Sequence, residues 1–213
     1  MPRLRRHFVP GVSAHIIKRG NNRAPIFSRE DDYAAFLRLL REASGPHCTQ
    51  VHGYVLMANH IHLLATPERP DSVPLFMKEV GERYSQYFNR TYARIGTPWS
   101  GRYKALTIAD ERYWLTCLRY VEQNPVRARM VLHPADYRWS SYHAHLNATT
   151  SDWLQSHPLL EGLGRSRTER ADAYRRLFSA LVPEDDLHKL RKPARQHRAA
   201  ADGVREKGSD PGV

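Results

Sequence analysis

Cysteine is nearly absent from this chain: the 213 residues include two, Cys48 and Cys117. That excludes a disulfide scaffold and a cysteine-rich zinc module, and it fits a reducing, cytoplasmic compartment. Both thiols read as small packing residues. Long apolar runs are missing too. No stretch approaches the roughly 18 residues needed to span a bilayer. The opening "MPRLRRHFVPG" has basic residues but no apolar segment after them, so it is not expected to act as a secretory signal. Acidic residues are in short supply, 22 against 33 lysines and arginines, for a formal net charge of +11. Such a balance favours a polyanionic partner, most commonly nucleic acid. No internal repeat is visible, and the length suits one domain plus a tail.

Several stretches have clear periodicity. "SAHIIKRG" (13–20) reads as a strand with Ala14, Ile16 and Lys18 on one face and His15 and Ile17 on the other. From Ser28 to Ser44 the apolar positions Tyr33, Phe36, Leu37 and Leu40 recur at helical spacing, with Ser28 as the expected N-cap and Gly45-Pro46 as the stop. "CTQVHGYVLM" and "HIHLLAT", joined by Ala58-Asn59, predict an antiparallel hairpin. A long helix is expected over about 73–92, a short strand at "KALTIA", and a further helix from Glu111 capped by Asp110. The first six elements follow β-α-β-β-α-β order. The expected fold class is α+β: a ferredoxin-like (RRM-like) antiparallel sheet with helices on one face, plus a C-terminal tyrosine-bearing helix. The other sheet face is expected to stay open.

"MANHIHLLAT" (57–66) carries the chemistry. On a strand, His60 and His62 point the same way and share their face with Leu64, while Ile61, Leu63 and Ala65 point oppositely. Two adjacent imidazoles could hold a divalent cation, or be two polar residues on a half-exposed strand. Further on, "LTCLRYVEQNPVRARMV" places Tyr113, Cys117, Tyr120 and Asn124 on one helix face and Trp114, Leu118 and Val121 on another. Tyr120 and Asn124 lie one turn apart. Pro125 disfavours α geometry at Asn124, so a kink or break is expected there. A phenol is a weak nucleophile at neutral pH. Its attack on a phosphodiester needs the phosphate held in line and neutralised, which a cation can do. Two histidines with a third, oxygen ligand would suit Mg²⁺ or Mn²⁺, and mixed His/carboxamide ligation leans toward Mn²⁺.

"NHIHLL", followed at a distance by a helix ending "RYVEQNPVRA", resembles the single-tyrosine HUH transposases, both the insertion-sequence enzymes and their REP-associated relatives. "IIKRGNNRAPIF" and "WSGRYKA" are similar to that family as well, and the resemblance covers roughly residues 6–145. It implies that His60 and His62 bind the metal, that Asn124 matches the third ligand, and that Tyr120 is the nucleophile. Tyr120 would form a 5′-phosphotyrosine link to single-stranded DNA and release a 3′-OH, with the ester bond energy kept in the covalent intermediate. It further implies a hairpin-bearing single strand as partner, and either a monomer or a homodimer. Tyr113 is the rival nucleophile. Glu122 is a substitute ligand by chemistry but points away from Tyr120.

Arg5, Arg6, Lys18, Arg19, Arg23, Arg102 and Lys104 are candidate phosphate contacts. Trp99 and Tyr103 could stack on unpaired bases or pack in the core. His52 reads as structural. The expected organisation is a transposase-like domain over 1–146, a helical extension over 147–190 that could brace the tyrosine helix in its own subunit, and a basic, disordered tail over 191–213. Two other readings stand beside the transposase: a non-catalytic DNA- or RNA-binding protein on the same fold, and a relaxase or replication-initiator nicking enzyme. The lack of stacking aromatics on "SAHIIKRG" and "HIHLL" counts against the first. The position of the tyrosine, on a separate helix about 60 residues after the histidines, counts against the second.

Overall fold

Strands with apolar residues on both faces build the sheet, and amphipathic helices cover it. The computed structural model describes residues 8–108, 110–147 and 153–186. Arg5, Arg6 and the tail from 191 lie outside the described residues. Strands β1 (Ala14–Arg19), β2 (Thr49–Met57), β3 (His60–Pro67) and β4 (Lys104–Thr107) form one antiparallel sheet in the order β2-β3-β1-β4. Helices α1 (Glu30–Ser44) and α2 (Ser72–Tyr92) pack on one face, against Ala14, Ile16, Leu56, Ile61, Leu63 and Ala65. This is the α+β, ferredoxin-like arrangement expected from the element order.

Local chemistry explains where the elements begin. Helix α1 starts one residue later than the Ser28 cap predicts, with Arg29 at the N-cap. The Asp32 carboxylate is the reason: it accepts from the backbone N–H groups of Ser28 (2.8 Å) and Arg29 (3.0 Å) and draws the chain into the first turn. Strand β2 carries a bulge at His52, between the pairs Val51–Ala65 and Gly53–Leu64. The bulged imidazole is structural, bonded to the Gln155 carbonyl and the Thr66 hydroxyl, both at 2.9 Å.

The second sheet face is not open. Helix α3 (Glu111–Glu122) lies across it, with Trp114, Leu118 and Val121 packed on Val55, Met57 and Leu64. Burying each such side chain fully contributes on the order of 1.5–3 kcal/mol. Gly53 admits the helix: a Cβ there would come within 2.6 Å of Leu118 Cδ1. The Trp114 indole N–H donates to Ser13 Oγ (3.0 Å), and Ser13 shares a hydrogen bond with Thr66 (2.7 Å), pinning the helix to the sheet.

The segment after Arg127 then covers the far side of α3. Its short helices α5 (Tyr142–Leu146), α6 (Pro158–Glu161) and α7 (Arg167–Leu177) bury Tyr142, Leu160 and Tyr174 in the same core as α3. Helix α7 ends at Leu177. Beyond it, Val182 is also buried there, and its N–H donates to Gln123 Oε1 at 3.0 Å.

Candidate active site

Strand register decides what surrounds the two histidines. In β3, His62 lies opposite Ile17 of β1 and Val55 of β2, and His60 lies opposite Arg19 and Met57. Residues directly opposite one another project to the same sheet face. His15, Ile17 and Arg19 of β1 therefore share the histidine face, and Lys104, opposite Ile17 in β4, joins them. Arg19 and Lys104 are both exposed. The face thus presents a buried imidazole centre with a cationic margin.

His15 was not singled out by sequence reading, yet it sits at the centre. Its Nε2 is 2.8 Å from His62 Nδ1, and the two rings stack with centroids 5.0 Å apart. The His60 ring meets that of His62 edge-on, also at 5.0 Å. Tyr120 closes the group from above. Its ring lies 5.6 Å from both His62 and His15, edge-on to each, within a single chain. A T-shaped contact at that separation is favourable packing for aromatic rings, and it sets the tyrosine beside the imidazole pair. The Arg127 guanidinium lies 6.0 Å from the centre of the Tyr120 ring.

Burial decides the protonation state. It pushes the imidazoles of His15 and His60 down to about 4, with Arg19 adding to the effect at His60. His62 falls well below its ordinary value through burial, then through its neighbours His15, His60 and Arg19. All three rings are neutral near pH 7, so each has a nitrogen lone pair.

The unsatisfied atoms fit a cation. His62 Nε2 is fully buried and has no hydrogen-bond partner. The Asn59 side-chain oxygen Oδ1 lies 2.6 Å from His60 Nδ1, which leaves the His60 Nε2 side open. Among the described residues no group of three or more His, Cys, Asp or Glu could hold a metal ion, so a third protein ligand has to be of another type. Asn124 has that chemistry. Its amide nitrogen donates to the carbonyls of Tyr120 (2.8 Å) and Val121 (3.2 Å), which fixes the side chain at the end of α3 through the nitrogen alone. The break expected from Pro125 falls at Gln123, between α3 and α4 (Asn124–Arg127), with Pro125 in the first turn of α4. Glu122 is committed elsewhere: it accepts from Ser141 Oγ (2.5 Å) and from the Tyr174 hydroxyl, and it pairs with His145 Nδ1 at 2.9 Å. Tyr113 is also tied, donating to the Asp186 carbonyl at 3.0 Å.

The remaining sequence candidates separate by face. Lys18 lies on the helix-covered side, its ammonium 5.0 Å from the centre of the Trp99 ring. Lys18, Arg102 and Tyr103 border a cavity there of about 690 Å³, beside Pro74, Leu75 and Lys78. Trp99 and Tyr103 are core residues, 4% and 8% exposed, so neither ring face is free to stack on a base. Arg23 is exposed in the loop after β1.

A solved structure with this fold is a REP-associated tyrosine transposase bound to a REP hairpin, with TM-score 0.58 and 16% identity over 74% of this chain and 92% of that one. That likeness establishes the fold. A Deinococcus radiodurans R1 protein assigned as a transposase aligns at TM-score 0.40 and 17% identity over 61% of this chain and 92% of that one, too low a score to bear on the fold. No curated protein matches the sequence. The family described as "Transposase IS200 like" matches residues 8–124, and the chain belongs to it. Among the described residues no helix is long and apolar enough to cross a membrane.

Proposed function

We propose that this transposase cuts and rejoins single-stranded DNA beside a hairpin, with Tyr120 as nucleophile and a divalent cation at His60, His62 and Asn124. The observation that carries the reading is the placement of the Tyr120 ring 5.6 Å from the His62 ring of the same chain, over imidazoles that burial keeps neutral. The Tyr120 oxygen attacks a backbone phosphorus. A P–O bond to tyrosine forms, the bond to the 3′ oxygen breaks, and the 3′-OH leaves with a proton. Attack by a 3′-OH on the phosphotyrosine reverses the step and joins new ends, with one ester exchanged for another and no energy source consumed. Mg²⁺ or Mn²⁺ at the ligands would neutralise phosphate charge and orient the ester.

Arg19 and Lys104 flank the imidazoles on the same sheet face and are the proposed phosphate contacts, with Arg23 at the neighbouring loop. The hairpin as partner follows the solved relative, whose DNA is a REP hairpin. A site completed within one chain also supports a monomer. The segment after Arg127 holds α3 against its own sheet through Tyr174 and His145 on Glu122, and through the Ala180 carbonyl, which accepts from Arg119 (2.8 Å) and Gln123 (2.9 Å).

The test is covalent capture on a denaturing gel, using a hairpin with a single-stranded flank and Mg²⁺ or Mn²⁺. Wild type should form a protein–DNA adduct, and Tyr120→Phe should lose it while still binding the hairpin. An adduct that persists in Tyr120→Phe removes the nucleophile assignment. Absence of any adduct in wild type replaces this reading with a non-catalytic DNA-binding protein.

A further inference from the structure

The side chain that orients His60 lies one residue before it, and a strained loop anchors that side chain. Asn59 makes two side-chain hydrogen bonds: its Nδ2 donates to the Arg23 carbonyl at 3.1 Å, and its Oδ1 is 2.6 Å from His60 Nδ1. The first bond fixes the second. A backbone carbonyl only accepts, so the amide nitrogen must face Arg23 and the amide oxygen must face His60. An amide oxygen only accepts, so the hydrogen of the neutral His60 ring is on Nδ1. The lone pair is then on Nε2.

The anchor is built at some conformational cost. Asn22 and Arg23 both sit in the left-handed region, with φ of 50° and 57°. Such positions are uncommon for side chains other than glycine, and they persist only where the surroundings impose them. Here the loop and the hairpin tip are bonded together. The Gly20 N–H donates to the Asn59 carbonyl (2.8 Å), and the N–H groups of Ile26 (2.7 Å) and Phe27 (3.0 Å) both donate to the Ala58 carbonyl. Gly20 cannot be replaced cheaply, since a Cβ there would come within 2.3 Å of the Ala24 carbonyl oxygen. "RGNNRAPIF" and "ANHIH" are therefore one structural unit, although residues 28–57 lie between them.

We infer that Asn59 is a positioning residue which, held by the Arg23 carbonyl, locks His60 in the Nδ1–H tautomer so that Nε2 is preset as a cation ligand. The inference rests on the proposed cation site, but it concerns the ring before any cation arrives. Partners of this kind, behind a metal-binding histidine, typically contribute 10–100-fold in metal affinity.

The test uses the full chain, with Mn²⁺ alone as the probe. Long-range ¹H–¹⁵N NMR of the cation-free protein at pH 7 should give His60 as a single Nδ1–H tautomer. Asn59→Ala should give a mixed tautomer and weaken Mn²⁺ binding, read by electron paramagnetic resonance, by about 10–100-fold. Asn59→Asp keeps an acceptor oxygen at His60 but loses the donor to the Arg23 carbonyl, so it should restore the single tautomer and give an Mn²⁺ affinity between those of Asn59→Ala and wild type. This variant also separates the orienting role from loss of fold. An Nε2–H tautomer in wild type, or an Asn59→Ala protein that keeps both the single tautomer and wild-type Mn²⁺ affinity, overturns the inference. Neither measurement reads strand cleavage. Unchanged tautomer and affinity in a variant whose wild type forms the adduct defeats this inference alone, and a missing adduct with the expected tautomer and Mn²⁺ response defeats the proposed function alone.

Discussion

Replacing Gly53 by alanine probes how closely the tyrosine helix is seated. The added Cβ would lie 2.6 Å from Leu118 Cδ1, while ordinary carbon–carbon contact needs about 3.5–4.0 Å. The shortfall is roughly 1 Å. Leu118 is 1% exposed and packed in the core, so moving its side chain displaces its buried neighbours. The helix must lift or Leu118 must leave its rotamer, and overpacking of this kind costs about 1–3 kcal/mol. Leu118 precedes Tyr120 by two residues, so a lift of α3 moves the phenol relative to His62. A displacement near 1 Å at a reacting group can cost on the order of 100-fold in rate. Gly53→Ala should therefore lower the urea midpoint modestly and slow adduct formation strongly, with hairpin affinity little changed. Adding Leu118→Ala should recover part of the rate, because the second change vacates the space the first one fills. Wild-type adduct kinetics in Gly53→Ala, or no recovery in the double variant, would refute the reasoning.

Two further predictions concern buried polar groups. Tyr174→Phe removes a hydroxyl from the fully buried Glu122 carboxylate, leaving Ser141 and His145 as its partners, and should destabilise the fold by about 1–3 kcal/mol in urea titration; a change under about 0.5 kcal/mol would mean that the extension does not brace α3. Stability should also fall with acid. His15 and His52 are held at about 4 when folded, chiefly by burial, against 6.5 in the unfolded chain. The unfolded state binds more protons between those values. The contribution is then full above about pH 6.5 and is lost as pH drops toward 4, with a slope of up to about 1.4 kcal/mol per pH unit for each group. Urea midpoints that stay flat from pH 7 to pH 5 would contradict the burial of these neutral rings.

The period-2 and period-3.6 patterns made the sheet and its first two helices legible. The Ile61, Leu63, Ala65 row faces α1 and α2, and Leu64 lies on the histidine face, as alternation requires. Alternation also put Lys18 on the side of Ala14 and Ile16, which is the helix-covered side, and only its nearness in sequence to other basic residues suggested a phosphate role. The covering of the histidine face was harder to see. Trp114, Leu118 and Val121 marked α3 as a packing helix, but Cys117 and Tyr120 are buried as well: Tyr120 lies against the His15 and His62 rings, and later segments close over the helix. Those segments have no long period to read: the partners of Glu122 lie 19, 23 and 52 residues further on. His15 was hidden for a different reason. Its face was evident, but its nearness to His62 depends on the β1–β3 register, which no local pattern encodes.

The account stands most directly on where the DNA becomes attached. Wild-type protein should be reacted with a hairpin substrate, denatured, trimmed with nuclease, digested and read by tandem mass spectrometry. The residual 5′-nucleotide should be found on Tyr120. A nucleotide on Tyr113 or any other residue would mean that the phenol beside His62 is not the one that reacts.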